Sequence, residues 1–218
     1  MENKTAFEFD LGNQWKLYRT VFYQQHFRTI VTETVEGVEN WLDDVYAMEG
    51  RNPKDVVVGL DAEWKNNDKV AVLQLAVQDT CLIFHIIHAK EIPEKLRSFL
   101  NDTNFIFVGV GVEADVQKLY DDWGLTVANF ACLYDFRKKK YGPKDTWQTE
   151  GLEVMAYRYM RKDMAKDKNT TLSHWNDRNL TEAQVHYASL DAIVSKQLGN
   201  TFWITNDEKA RIGLRGLL

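Results

Sequence analysis

Apolar and polar positions along the chain change period several times, and each change marks an element. Trp15–Tyr23 and Phe27–Thr34 alternate, and the polar Gln24-Gln25-His26 between them predicts an antiparallel hairpin. From Val35 to Met48 the period lengthens. Val38, Trp41, Leu42 and Val45 fall on one helical face, with Asn52-Pro53 as the stop. Val56–Trp64, VVVGLDAEW, is a short β-branched run suited to the covered centre of a sheet. Beyond the polar turn Lys65–Lys69, Val70–Val77 and Cys81–Ile87 read as two further strands. Their connections are too short to hold a helix, so the three strands predict an antiparallel meander. Ile92–Leu100 reads as a helix with Pro93 in its first turn. A second buried strand, Phe105–Val110, leads through Gly111 into an amphipathic helix that ends at Trp123, where Gly124 stops it. Asn129–Leu133 reads as a short strand, Leu152–Met164 as a helix and Asp163–Asn179 as a loop. Leu180–Phe202 is the last long helix, with Thr181 as N-cap and Glu182 and Gln184 in its first turn. A meander followed by strand–helix alternation predicts an α/β layered domain with a mixed sheet.

Composition agrees with a single folded domain. The chain has 218 residues, 44% of them hydrophobic and 12% aromatic, enough to bury a full core. Cys81 and Cys132 each lie in an apolar run without a C-x-x-C or histidine spacing, so buried reduced thiols are expected and zinc is not. The opening MENKTAFEFDLGNQW lacks the apolar segment of a signal peptide, and no run approaches a membrane span. A soluble protein of cytosol or nucleus is the expectation. The net charge of −5 hides an asymmetry: Arg137–Lys168 holds ten Lys/Arg against five acids, leaving −10 on the rest. A basic segment on an acidic body suits local attraction of a polyanion, although most charge runs are simply solvated faces.

The chemistry concentrates at strand ends. Asp61 and Glu63 are two residues apart on a strand, so both project from one face. Carboxylates that close repel unless a proton or a cation sits between them, and an oxygen-only pair suits Mg²⁺ or Mn²⁺. Strand–turn–helix 105–123 has two readings. Gly109-Val110-Gly111-Val112-Glu113-Ala114 satisfies a loose G-x-G-x-x-A dinucleotide fingerprint, with Asp135 at about the distance of a ribose-binding acid. That fingerprint normally follows the first strand of its unit, whereas here a meander precedes it, and it leaves Asp61 and Glu63 without a role. The preferred reading has the glycines easing strand–helix packing and Asp115 facing the same sheet edge as Asp61. On the last helix Tyr187 and Asp191 are four apart, and so share a face.

Asp61-x-Glu63, Asp115 and Tyr187-x-x-x-Asp191 together resemble the three motifs of the DEDDy group of 3′–5′ exonucleases. The flanks VGLDAEW, LQLAV, FVGVGVEADVQKL and SHWNDRNLTEAQVHYASLDA match as well. The resemblance runs from about Thr29 to Phe202. It is nearest to the Werner-syndrome-like branch, and the hairpin leading into ENWL is similar to small plant exoribonucleases that act beside the RNA-silencing complex. His174 departs from the Asn or Asp usual there, and Met160–Lys162 lacks a glycine often present.

The resemblance implies a ribonuclease H-like three-layer fold with a mixed central sheet and a preceding N-terminal β-hairpin. It places an extension with the first hairpin strand at 1–28, the exonuclease domain at 29–203 and a tail at 204–218. It implies two Mg²⁺ or Mn²⁺ ions on Asp61, Glu63, Asp115 and Asp191, with Asp61 shared and Tyr187 orienting the attacking water. The expected substrate is single-stranded nucleic acid, RNA slightly ahead of DNA. Homo-oligomers and membership of a silencing complex are further expectations. Trp64 is a candidate for stacking on the terminal base, Gln74 and Leu75 for lining the 3′-nucleotide pocket, and Arg137–Lys140 for phosphate contact. Two other readings stand beside the nuclease: a catalytically silent nucleic-acid-binding module of the same fold, and a dinucleotide-binding protein.

Overall fold

A computed structural model describes residues 3–10, 12, 15–50, 53–142, 150–165 and 168–203 of the chain. The strands are β1 Lys4–Asp10, β2 Lys16–Phe22, β3 Gln25–Thr32, β4 Val56–Glu63, β5 Val72–Val77, β6 Thr80–Phe84, β7 Phe105–Gly109 and β8 Phe130–Cys132. Among the described residues they form one eight-stranded mixed sheet in the order β1-β2-β3-β6-β5-β4-β7-β8. β4, β5 and β6 make the antiparallel meander expected from connections too short to hold a crossover helix. β3 joins β6 in parallel, and β7 and β8 extend the sheet in parallel beyond β4.

The helices are α1 Val35–Glu49, α2 Glu94–Leu100, α3 Val112–Trp123, α4 Leu133–Tyr141, α5 Leu152–Met155, α6 Lys168–Thr171 and α7 Glu182–Phe202. Strand alternation assigns them to two faces. Val57, Ala76, Ile83, Ile106 and Val108 share a core with Val185, Ala188, Ala192 and Leu198 of α7. The intervening residues Val58, Leu60, Leu73, Leu75, Phe105 and Phe107 share another with Trp41 of α1, Phe99 of α2 and Leu119 of α3. The result is a three-layer α/β fold. Thr34 caps α1, and Thr181 forms a reciprocal capping box with Gln184 at the start of α7.

Two glycines seat α7 on the sheet. A Cβ on Gly59 of β4 would lie 1.8 Å from the Ala192 carbonyl oxygen, and one on Gly199 of α7 would lie 2.7 Å from Val57 Cγ1 and 2.8 Å from Val108 Cγ2. The helix backbone therefore rests directly on β4, closer than any side chain allows.

The structure departs from the sequence pattern in several places. β1 adds a third strand to the expected N-terminal hairpin. Its apolar anchors, Phe7 and Phe9, remain 45% and 46% exposed, so burial gave its short alternation little definition. Pairing with β2 holds it, together with a hydroxyl ladder from Thr5 through Thr20 to Thr29 at 3.0 and 2.8 Å. The expected boundary at 28/29 falls inside β3, so the N-terminal strands continue the same sheet. α1 stops at Gly50, which adopts φ 78°, ahead of Asn52. Asn52 and the expected tail 204–218 lie outside the described residues. Pro93 is the N-cap of α2 and not part of its first turn.

The Arg137–Lys140 run is helical, in α4. Arg137 is 1% exposed, with Nη1 3.7 Å from Glu150 Oε2, and Lys140 donates to the Thr201 carbonyl at 2.5 Å. Burial takes Arg137 out of reach of a phosphate backbone, while Lys138 and Lys139 are exposed. The helix expected over Leu152–Met164 is α5 alone, followed by a π turn at Ala156–Met160. It ends at Arg161, φ 57°, in the left-handed region that favours the glycine missing from Met160–Lys162. α6 is a short helix within the segment expected to be loop.

Candidate active site

The packing of α7 on β4 assembles the acids. Asp61 lies two residues beyond Gly59 on the face that α7 covers, and Asp191 immediately precedes Ala192, the residue resting on Gly59. Asp61, Glu63 and Asp191 each offer a carboxylate oxygen, and these atoms all lie within 4.8 Å of one another. Asp61 and Glu63 are half-buried at the end of β4, while Asp191 is 3% exposed. The donor set is oxygen alone, with neither histidine nor cysteine, and so fits a hard divalent cation.

Asp115 belongs to the same electrostatic system from another element. It sits in the first turn of α3 and is 8% exposed. Burial, then the charges of Glu113 and Asp191, push its carboxyl up to about 7. A carboxyl whose folded pKa exceeds its unfolded value stabilises the fold below the unfolded pKa and loses that contribution as pH rises through the folded one. The metal-free protein is therefore expected to lose stability between about pH 4 and pH 7 on account of this group. Melting curves across that range, compared with Asp115→Asn, check it: the variant should show a shallower fall.

The glycines ahead of Asp115 act through backbone geometry. A Cβ on Gly109 would meet the Leu60 carbonyl oxygen at 2.6 Å, and Gly111 caps α3 at φ 69°. Close strand packing and a left-handed cap account for both. Asp135 stands in the first turn of α4, which follows β8 directly.

Tyr187 is held by the end of α6 and the loop that follows it. Its hydroxyl accepts from Thr171 Oγ1 at 3.0 Å, and its ring lies 5.9 Å from that of Trp175. Trp175 is fully buried and anchors this segment. His85, kept neutral by burial at a pKa of about 4, donates from Nε2 to the Trp175 carbonyl at 3.0 Å, and His88 donates to that of Asn176 at 2.9 Å. Sequence reasoning missed both histidines and Thr171. Contacts across 16 to 90 positions leave no periodic signal that could have found them.

The remaining candidates separate. Trp64 is half-buried against the α1–α3 core, with Lys118 Nζ 5.3 Å from its ring centroid. Lys118 lies one turn beyond Asp115, a spacing the sequence displayed. Lys65 Nζ approaches the exposed His174 ring at 2.9 Å, so the residue that departs from the family pattern lies on the surface. Leu75 is 0% exposed and packs in the core on the face opposite the carboxylates. Gln74 shares the face of Asp61 but is also 0% exposed, so neither residue lines an open nucleotide pocket.

Residues 29–204 match the model of the 3′-5′ exonuclease domain family. The chain belongs to that family. The bifunctional 3′-5′ exonuclease/ATP-dependent helicase WRN of Mus musculus is 34% identical over 155 residues, covering 66% of this chain and 11% of that protein. A 3′-5′ exonuclease of Arabidopsis thaliana is 31% identical over 149 residues, covering 65% of this chain and 50% of the relative. The chain thus spans half or less of these relatives. Among solved structures, Escherichia coli RNase D superposes with a TM-score of 0.67 at 16% identity, over 85% of this chain and 46% of RNase D. The EXO domain of Aedes aegypti Nibbler gives 0.63 at 15%, over 84% and 88%. These neighbours establish the ribonuclease H-like fold. Among the described residues no helix is long and apolar enough to cross a membrane.

Proposed function

We propose that the chain is a metal-dependent 3′–5′ exonuclease that hydrolyses terminal phosphodiester bonds of single-stranded nucleic acid. The observation that carries this reading is the convergence of Asp61, Glu63 and Asp191 within 4.8 Å in a member of an exonuclease family. RNA is placed narrowly ahead of DNA, on the likeness of the hairpin leading into ENWL to the small plant exoribonucleases.

Mg²⁺ or Mn²⁺ ions would be held by Asp61, Glu63 and Asp191, with Asp115 and the shared Asp61 holding a second. When bound, two such ions acidify water and neutralise charge on the attacking and leaving oxygens. The protein supplies position. Asp61 and Glu63 come from one strand face and Asp191 from the helix seated on that strand, so the packing of α7 on β4 sets their spacing. Tyr187, one helical turn before Asp191, orients the attacking water through its phenol. A phenol of reference pKa about 10 serves better as an orienting group than as a base. Thr171 Oγ1 donates to the phenol oxygen and helps fix its position. Trp64 presents an aromatic face at the strand end for the terminal base, with Lys118 and Lys65 close by for phosphate charge.

Matched single-stranded RNA and DNA oligomers labelled at the 5′ end test the proposal. Single-nucleotide ladders that require added Mg²⁺ or Mn²⁺ and vanish with chelator are expected. Cuts within a circular strand, or undiminished cleavage in chelator, would count against it. Tyr187→Phe keeps the ring against Trp175 and removes only the hydroxyl. Turnover should fall by roughly 10²–10⁴ with KM little changed, the pattern of an interaction made in the transition state. Full activity with a lower melting temperature would instead make Tyr187 a packing residue.

A further inference from the structure

Gln74 lies in the middle of β5 with 0% exposure, and neither Nε2 nor Oε1 has a hydrogen-bond partner among the described residues. Its neighbours along β5 and across on β6 are apolar. Val72 and Ala76 flank it on the same face, and Ile83 lies across from it on β6. A buried amide with both ends unpaired weakens a fold, and leucine or methionine would fill such a place without that burden. The other four side chains between Val72 and Ala76 and the next residue, Val77, are all apolar. Selection for the core alone does not account for an amide here.

The register supplies the missing partner. Gln74 stands directly opposite Asp61 in the antiparallel β4–β5 pair, so the two side chains leave the sheet on one face, beneath α7. Directly opposed side chains have Cβ atoms about 4.5–5.5 Å apart. An amide offers a donor for a carboxylate oxygen and an acceptor for a water of a hydrated ion. Residues that orient metal-bound carboxylates in this way govern how tightly the ion is held. Full enclosure also rules out direct contact with a nucleotide.

We infer that Gln74 is a positioning residue for the metal site: with an ion present, its amide donates to the Asp61 carboxylate and accepts from the ion's hydration water. The inference rests on the metal-site reading above and assigns a role that the acidic residues themselves do not fill. It carries a double signature. The metal-free protein bears an unpaired amide that the loaded protein does not, so replacing Gln74 should help the first and harm the second.

Gln74→Met preserves length and apolar packing, and Gln74→Leu repeats the comparison with another shape. Two quantities are measured on the full chain, at a pH above the range in which Asp115 titrates. One is the melting temperature in chelator, and the other is the affinity for Mn²⁺ by calorimetric titration, with Asp61→Asn as reference. The variants should melt at or above the wild-type temperature without metal, and bind Mn²⁺ roughly 10–100-fold more weakly. Wild-type affinity in the variants would overturn the inference and leave the amide as an inert core residue. A lower metal-free melting temperature in both variants would make Gln74 a structural partner and overturn it equally. If Asp61→Asn binds Mn²⁺ like wild type, or wild type binds none, the metal-site reading fails and the inference goes with it. Loss of binding in Asp61→Asn alone sinks only the role of Gln74.

Discussion

Asp61→Asn is expected to abolish cleavage while leaving the metal-free fold as stable as wild type or more so. The residue is proposed as the ligand common to both ions, and on that reading each ion would supply several kcal/mol of transition-state stabilisation. Each ~1.4 kcal/mol is tenfold in rate, so a loss of roughly 10³-fold or more follows. Stability moves the other way for an electrostatic reason. Three carboxylates with oxygens inside 4.8 Å repel one another when no cation is bound, and Asp191 is 3% exposed, where solvent screens poorly. Substituting an amide for one of them relieves the repulsion and keeps the shape. Turnover measured at saturating Mn²⁺ and melting in chelator check the two halves separately. Substantial residual turnover would overturn the shared-ligand assignment. A large fall in melting temperature would mean that Asp61 holds the fold instead.

The second large effect is expected from a residue with no side chain. Gly59→Ala would place a methyl 1.8 Å from the Ala192 carbonyl oxygen and 2.8 Å from the Lys196 nitrogen. Both are helix backbone, so no rotamer change relieves the clash and α7 must lift from β4. Overpacking a core costs about 1–3 kcal/mol and occasionally more, and a backbone clash belongs at the upper end. For a domain of this size about 3 kcal/mol corresponds to a fall in melting temperature of roughly 6–12 °C. The same displacement carries Asp191 away from Asp61. A misplacement near 1 Å can reduce turnover on the order of 10²-fold, so activity should fall even where the variant stays folded. Calorimetry and a nuclease assay below the melting transition report the two effects. An alanine here with unchanged stability would show that α7 does not rest on the strand as described. The contrast with Asp61→Asn is diagnostic, since one variant loses activity without stability and the other loses both.

Much of this was legible from residues alone. The period of two at Trp15–Thr34, the β-branched run at Val56, and the helical period at Val35–Met48 each lie in an element buried on one face or on both. There burial imposes the pattern that betrays it. Thr181 and Gln184 announced the start of α7 because capping is local chemistry. The acidic motif residues were visible for the same reason: Asp61 and Glu63 are two apart on a strand, and Tyr187 and Asp191 four apart on a helix, spacings that local geometry converts directly into a shared face. β1 escaped because its phenylalanines stay nearly half exposed, and α4 because its cationic run carries a buried arginine. Tertiary structure alone decided the rest. That Asp191 meets Asp61 depends on two glycines 140 positions apart in the chain letting a helix and a strand touch. That Tyr187 is steadied by Thr171, and Trp175 by His85, depends on contacts between segments whose separation leaves no trace in any period. Gln74 shows the difference most plainly. Its place in an apolar strand was readable, but its enclosure and its position opposite Asp61 arise only when β4 and β5 pair in one register, because a slip of one residue would turn every side chain to the other face.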